Sequence, residues 1–508
     1  MGEPMGLTAE RMIERSLQSL GLDRLERAGV WDGEPVVTGL SVDSRQTEAG
    51  HLFAALPGSL VHGAEFADYA RRMGARVILT DATGAQVIDD LFPKFELPIL
   101  IAEDARLVLA ETAARFFDLQ PEVVVAVTGT NGKTSVASFT RQIWEHSGAV
   151  AVNFGTTGVE GAVSAPLSHT TPEPITLHRL LADLSLQGVT HAAMEASSHG
   201  LAQRRLDAVD LTAAAFTNIT RDHLDYHADF ADYLHAKSGL FERVLRPDGV
   251  AVLNADDPAS QEIAQASEAR GGRLILVGRS PDADICLTAQ RFDATGQDIR
   301  FTYGGEVFTA RLDLIGGFQA FNVLLAAGLA LGSGLSASEI FTSLAHLKTV
   351  RGRMELAATR ANGANVFVDY AHTPDALETA LTNLRPHVMG RLLVVFGAGG
   401  DRDPGKRELM GQAAAAHADV AFVTDDNPRG EVPALIRQEI MRGCPNANEI
   451  GDRAEAILAG VDALGPGDTL LIAGKGHETG QIIGHDVFPF DDAEQASISV
   501  AALDDMGA

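Results

Sequence analysis

Residues 123–139 read VVVAVTGTNGKTSVASF. A run of small and β-branched apolar residues meets glycines, and an amphipathic pattern begins at once. Val136, Phe139, Ile143 and Trp144 fall on one face at helical spacing, and Gly148 supplies a stop. A strand that passes through such a turn into a helix points its loop N–H groups inward. The helix N-terminus adds partial positive charge, which suits a phosphate. Lys133 is placed to reach outer phosphates, and the Thr134 hydroxyl suits Mg²⁺. The general pattern G-x-x-x-x-G-K-[ST] asks for glycine at 127, where this chain has Val127. The plain structural alternative is a strand–helix turn with a surface lysine. The loop alone does not choose between ATP and GTP. No Asn-Lys pair occurs in the chain, which weighs against the guanine-recognition motif of a GTPase switch.

The remaining composition narrows the class. At 508 residues the chain has room for roughly three domains of about 150 residues. A net charge of −28 argues against nucleic acid as a partner, yet allows small anions held by local cations. No apolar run approaches the roughly 20 residues that span a bilayer, so no membrane insertion is expected. The N-terminal stretch MGEPMGLTAERMIERSLQSLG lacks the pattern of a signal peptide and reads as a short amphipathic helix. Two distant cysteines, Cys286 and Cys444, give neither a disulfide framework nor a zinc pattern. They point to a reducing, cytoplasmic setting.

Pattern changes suggest three units. Up to about residue 120, short apolar runs such as RVILTD (76–81) and LPILIAED (97–104) flank a helical stretch. From there to about 345, strands such as THAAMEAS (190–197) and GVAVLNADD (249–257) alternate with helices, ending in a buried helix within 316–334. The third unit carries four apolar runs, NVFVDY, RLLVVFG, DVAFVTD and DTLLIAG, separated by helical stretches. That pattern predicts a parallel sheet covered on both faces. Each run ends in a polar or glycine-rich turn, where ligands bind in open α/β sheets.

Nine stretches in order give the loop a context: GTNGKTS, SHTTPEP, MEASSHGLAQRRL, FTNITRDHLDYHADFADYLHAKSGLF, RGRME, VDYAHTPDAL, GGDRDPGKR, DDNPRGE and AGKGHE. Together they resemble the Mur ligase family, the ATP-dependent amino-acid ligases of peptidoglycan precursor synthesis. The resemblance runs from about Ser41 to Glu478. It implies an α/β fold in three domains: a UDP-substrate-binding domain (1–120), a central P-loop ATPase (121–348) and a C-terminal Rossmann-like amino-acid-binding domain (349–508). A monomer is the expected state.

The same resemblance implies roles. ATP would be held by Gly129, Thr130, Asn131, Gly132, Lys133, Thr134 and Ser135, with Asn322 on the adenine side and Arg353, Asp369 and His372 near phosphate and ribose. Without the family, Asn322 reads as a helix N-cap. Catalysis would rest on Lys133, Glu195, His223 and Lys237, with Mg²⁺ near Thr134, Glu195, His223 and Lys237. The family carries a carbamylated lysine (N6-carboxylysine) at the position of Lys237, which on its own reads as a surface residue. His223 and His227 are spaced i, i+4, but Leu224 stands where a zinc H-E-x-x-H motif needs Glu. The UDP-sugar-dipeptide would meet Thr170, Thr171, Ser197, Gln203 and Arg205, with Ser44 and Arg45 near the uridine; His62 stands where Asp is more usual. Arg204 and Arg205 are not told apart by sequence.

Within the family, the motifs are most similar to the branch that adds meso-2,6-diaminopimelate to the D-Glu carboxylate of UDP-N-acetylmuramoyl-L-alanyl-D-glutamate. Diaminopimelate differs from lysine by one carboxylate, and Arg429 offers a planar fork for it. Asp426, Asn427, Pro428, Arg402, Gly474 and Glu478 complete the implied amino-acid contacts. A lysine-adding ligase would lack a use for Arg429. A folylpolyglutamate synthetase shares the loop style but not SHTTPEP or DNPR. A nucleotide-binding regulatory protein without turnover is the alternative from another class.

Overall fold

The computed structural model describes residues 13–58, 61–220 and 226–506. The chain forms two compact units, Met1–Leu276 with Leu325–Ser336, and Val277–Leu324 with Ala337–Ala508.

The first unit opens with a five-stranded sheet in the order Glu26–Gly29, Pro98–Ile101, Val77–Thr80, His51–Ala54, Gly39–Ser41. All neighbours are parallel except the antiparallel edge strand Glu26–Gly29. Its strands are apolar on both faces. Leu52, Leu79 and Leu100 pack with Leu109 and Phe116, while Phe53, Ile78 and Ile99 pack with Ile88. Asp81 and Asp104 start the helices Ala82–Leu91 and Ala105–Phe117 by accepting from Gly84 N and Leu107 N, relieving unpaired helix N–H groups. The amphipathic helix expected at the N-terminus is not found where residues are described. Arg15–Ser16 pairs with Val36–Val37, and turns follow through Gly21 at φ 74°. Leu17, Leu20 and Leu22 are buried by those turns, a spacing no helix face provides. Residues 1–12 of that expected helix lie outside the described residues.

The second sheet of this unit runs Gly158–Gly161, Ala151–Gly155, His191–Glu195, Val123–Thr128, Leu211–Phe216, Leu245–Asn254. Only the Gly158–Gly161 edge is antiparallel to its neighbour. Val124, Ala126, Met194 and Phe216 face one core with Leu177 and Leu181 of the helix Pro174–Leu186. The helix Lys133–His146 buries Val136, Phe139, Ile143 and Trp144 as the spacing predicted, and Gly148 follows it at φ 88°.

In the second unit, three antiparallel strands, Ile285–Asp293, Gly296–Tyr303 and Glu306–Leu312, replace the expected alternation with helices. Their turns are too short for a helix. Asp293 Oδ1 accepts from Thr295 N and Gly296 N at one, and Gly304-Gly305 makes the other with both φ positive. The larger sheet runs Glu355–Thr359, Asn365–Asp369, Thr469–Ala473, Leu392–Phe396, Val420–Val423, Asn448–Glu449. It is parallel apart from the Glu355–Thr359 edge. Helices cover both faces. Leu377, Met410 and Ile440 meet Phe367, Val394 and Phe396 on one side; Ile457, Val461 and Val500 meet Val366, Val395 and Ile472 on the other. The hairpin Gly480–Ile483 with Asp486–Pro489 follows, a feature the sequence pattern did not reveal.

Candidate active site

The phosphate loop joins Val123–Thr128 to Lys133–His146. Val127 is fully buried and pairs with Glu195 and Ala215 on the flanking strands. The position where the general pattern has glycine is thus still strand, and the loop starts later. Gly129 takes up the turn at φ 146°, where a Cβ would lie 1.9 Å from Thr217 Oγ1. Asn218 holds the loop's outer wall, accepting from Thr130 N at 2.8 Å and, through its side chain, from Asn131 N at 3.0 Å. Lys133 Nζ curls over the loop to the carbonyls of Gly129 (3.0 Å) and Thr130 (2.9 Å). Gly132, at φ 89°, is the helix cap, and Ser135 is buried in the first turn.

Glu195 ends its strand beside this loop and is 2% exposed. Its Oε1 accepts from the Thr134 hydroxyl at 3.0 Å and from Thr156 N at 2.8 Å; Oε2 accepts from the Thr156 hydroxyl at 3.3 Å. A side chain at Gly155 would collide with that carboxylate, so the close approach needs glycine there. Lys237 is no surface residue. It is 1% exposed, donates to Gly129 O at 2.8 Å and lies over the Tyr233 ring at 4.5 Å. Tyr233 OH in turn meets Thr130 Oγ1 at 3.0 Å. His223 lies outside the described residues. His227 is buried with Nδ1 3.0 Å from Asp232 Oδ2. Among the described residues no group of three His, Cys, Asp or Glu could hold a metal ion.

The residues expected at the sugar-dipeptide gather near Glu195. The Thr171 hydroxyl donates to Glu195 O at 2.9 Å and accepts from Ser197 N and Oγ, each at 3.0 Å. Thr170 Oγ1 is 3.1 Å from Thr156 Oγ1. Arg205 donates to Thr171 O at 2.7 Å and to Gln203 Oε1 at 2.9 Å. Arg204 turns away at φ 60° to pair with Asp104 (3.1 Å) and Asp207 (3.2 Å). It is a structural tie, which separates the two arginines. Ser44 is buried in a single turn capped by Asp43, while Arg45 is exposed and paired with Asp43. Among the described residues, no hydrogen bond or ion pair joins these two to Thr171. His62 does the work of a capping Asp: Nδ1 accepts from Ala64 N at 3.0 Å, and Nε2 lies 3.2 Å from Asp81.

The second unit carries the remaining positions. Asn322 is buried inside the helix Phe318–Gly332 and donates to Gln319 Oε1 at 2.9 Å, so it caps nothing. The Arg353 guanidinium lies 4.8 Å over Tyr370, with its Nε buried and without a partner among the described residues. Asp369 accepts from Met354 N at 2.8 Å and Ala371 N at 2.9 Å. Burial pushes its carboxyl up, against the pull of Arg353. His372 Nδ1 lies 2.8 Å from Tyr370 O, and Lys406 donates to His372 O at 3.0 Å.

Asp426, Asn427, Pro428 and Arg429 follow the strand Val420–Val423. Asp426 is buried; Oδ1 accepts from Asn427 N at 2.7 Å, and Oδ2 has no partner among the described residues. Gly474 closes on it, since a Cβ there would lie 2.7 Å from Asp426 Oδ2. Asn427 donates to Glu478 Oε2 at 2.9 Å. Arg429, at φ 50°, is anchored by its N–H to Ile482 O (3.1 Å) and by Nη1 to Gly400 O (2.9 Å). Arg402 is exposed on the neighbouring loop. Sequence reasoning missed two residues here. Lys475 is wholly buried between Asn427 and Glu478. Its only signal was a lysine between glycines straight after an apolar strand. Arg453 is equally buried, joins the carbonyls of Asp425 and Ala473, and pairs with Asp492; it carried no signal.

Comparison with known proteins agrees with this geometry. Three family models match: the Mur ligase family, catalytic domain, over residues 36–117; the Mur ligase middle domain over 127–330; and the Mur ligase, glutamate ligase domain over 352–476. The UDP-N-acetylmuramoyl-L-alanyl-D-glutamate–2,6-diaminopimelate ligase of Brucella melitensis biotype 1 is 50% identical over 471 residues, 92% of this chain and 95% of that protein. The protein of the same name from Bradyrhizobium diazoefficiens is 48% identical over 472 residues, with the same coverage of each chain, 92% and 95%. A solved structure of a ligase of that name superposes with a TM-score of 0.72 at 31% identity, covering 97% of this chain and 99% of that one. A phosphate loop that begins one strand-end late, a carboxylate held against its threonine, and sequence likeness along nearly the whole length have one common account: the chain belongs to the Mur ligase family.

Proposed function

We propose that this protein joins meso-2,6-diaminopimelate to the D-Glu side-chain carboxylate of UDP-N-acetylmuramoyl-L-alanyl-D-glutamate, at the expense of ATP, in peptidoglycan precursor synthesis. The domain limits that go with this reading are 1–120, 121–348 and 349–508. The ATP γ-phosphate passes to the carboxylate, giving an acyl phosphate and ADP. The amine of the incoming amino acid attacks, and the tetrahedral intermediate expels inorganic phosphate to leave an amide.

The first step brings two anions together, so catalysis depends on preorganised positive charge. Lys133 donates to its own loop carbonyls, bonds that phosphate oxygens of ATP would replace. The Thr134 hydroxyl and the Glu195 carboxylate form a hard-oxygen pair 3.0 Å apart. That donor set suits Mg²⁺, which takes one or two carboxylates and fills its shell with phosphates and water. When bound, Mg²⁺ offsets the charge of the transferring phosphate. His223 and carbamylated Lys237 belong to the same reading; burial of Lys237 against Gly129 O supports a role beside the loop. Thr170, Thr171, Ser197, Gln203 and Arg205 hold the dipeptide, with hydroxyls and a guanidinium that suit carbonyls and carboxylates. Ser44 and Arg45 serve the uridine. On the ATP side, Asn322 faces adenine, with Arg353, Asp369 and His372 at phosphate and ribose.

The amino-acid choice lies in the second unit. The observation that carries it is the turn Asp426–Arg429, which holds both a half-buried arginine, anchored on Gly400 O, and a buried carboxylate oxygen of Asp426 with no partner among the described residues. Arg429 with Arg402 takes the distal carboxylate, while Asp426 and Glu478 take ammonium. Two unpaired, buried cysteines support a reducing, cytoplasmic setting. No helix among the described residues is long and apolar enough to cross a membrane.

The test is ADP and phosphate formation with purified protein, ATP and Mg²⁺. Turnover is expected only when both the UDP-dipeptide and diaminopimelate are present, with the amide product seen by mass. Phosphate release indifferent to either substrate would refute the reading and favour a nucleotide-binding regulator.

A further inference from the structure

Lys475 follows Gly474 directly after the strand Thr469–Ala473, and none of its surface is exposed. A buried ammonium is costly unless its protons find partners. Here Nζ donates to Asn427 Oδ1 at 2.9 Å and lies 3.3 Å from Glu478 Oε2. The same Asn427 oxygen also accepts from Ile482 N at 2.9 Å. With both lone pairs engaged by donors, that atom can only be the oxygen, and the amide has one orientation. Its Nδ2 is thereby fixed on Glu478 Oε2 at 2.9 Å.

We infer that Lys475 is a positioning residue for the amino-acid substrate: it locks the Asn427 amide and, with it, holds one oxygen of Glu478, so that the other is presented to the substrate ammonium. This rests on reading the cluster as the amino-acid subsite. Lys475 itself touches no substrate, because it has no exposed surface. Charge decides why the residue is lysine. A neutral donor could bond Asn427, but only a cation also holds the Glu478 carboxylate by a charge-assisted contact. Lysine fits the narrow space between Gly474 and Gly476, whose φ values of 123° and 56° let the chain close around it.

The proposal makes Lys475 and Glu478 act as one unit, and coupled residues show non-additive effects. The experiment measures KM for diaminopimelate, for the UDP-dipeptide and for ATP in Lys475→Met, Glu478→Gln and the double variant, with melting curves for each. Lys475→Met is expected to raise KM for diaminopimelate about tenfold or more, as for loss of a hydrogen bond to a charged group. The other two KM values should stay within about twofold. In the Glu478→Gln background the same change should cost less than about twofold. Equal cost in both backgrounds, or an equal rise in all three KM values, would overturn the inference. Should Lys475→Met fail to fold, Lys475→Gln keeps a donor for Asn427 and removes the charge, and the same cycle is read with it. A control separates this from the underlying assignment: if Arg429→Ala leaves KM for diaminopimelate unchanged, the subsite reading fails whatever the Lys475 cycle shows.

Discussion

The Thr134 hydroxyl donates to Glu195 Oε1 at 3.0 Å, joining the first turn after the phosphate loop to the end of the adjacent parallel strand. Neither residue is exposed enough for this to be a surface contact. On the proposed reading, the pair fixes a carboxylate where charge must be managed during phosphoryl transfer. Glu195→Gln keeps the shape and an acceptor but removes the charge. It is expected to lower kcat roughly 100-fold or more, in line with loss of a preorganised electrostatic group. KM for diaminopimelate should stay within about twofold. Steady-state phosphate release checks both.

Arg453 and Asp492 give a prediction about stability. Both side chains are wholly buried, with Nε 2.7 Å from Oδ1 and Nη2 2.6 Å from Oδ2. Removing one partner leaves an uncompensated charge in the core. Arg453→Met is therefore expected to destabilise the protein by about 3–5 kcal/mol. Adding Asp492→Leu should recover much of that loss. Even so, the double variant should bind diaminopimelate less well, because the carbonyls of Asp425 and Ala473 lose their shared donor. Chemical denaturation and KM for diaminopimelate separate the two effects.

His178 sets a pH dependence. It is buried in the helix Pro174–Leu186 with Nε2 lacking a partner among the described residues, and burial lowers its pKa from 6.5 to about 4. Above pH 6.5 both folded and unfolded forms are neutral and the residue adds no slope. Between pH 6.5 and 4 the unfolded chain binds a proton that the folded one refuses, so stability falls as pH falls. The total is about 3 kcal/mol. His178→Leu should flatten that part of the stability–pH curve measured by urea denaturation. An unchanged slope would show that His178 is protonated without unfolding.

Much of this was legible in the sequence, for a physical reason. The runs at 123–127, 391–397 and 468–474 are apolar without alternation because both sheet faces are covered, and each stops where a polar or glycine-rich loop begins. The strands Ile285–Asp293 and Gly296–Tyr303 escaped notice because their outward faces carry Thr, Gln, Arg and Asp, which blur into loop composition. Arg204 and Arg205 were inseparable until Asp104, one hundred residues earlier, was seen to claim the first. Lys475 was quoted within a motif yet not chosen. Its partner Asn427 lies 48 residues away in sequence, so only the fold reveals that the two loops share one hydrogen-bond network.

On the proposed reading, the second unit selects an amino acid bearing a distal carboxylate, and this selection depends on Arg429. Its backbone is held by Ile482 O and Gly484 N, so truncating the side chain leaves the turn in place. The most direct measurement is KM for diaminopimelate, KM for the UDP-dipeptide and the preference for diaminopimelate over lysine, in the parent protein and in Arg429→Ala. The account predicts that the parent prefers diaminopimelate. The variant should raise KM for diaminopimelate about tenfold or more, from loss of a charge-assisted pair, while KM for the UDP-dipeptide stays put. Equal loss for both substrates, or a parent protein that uses lysine as readily as diaminopimelate, would contradict it.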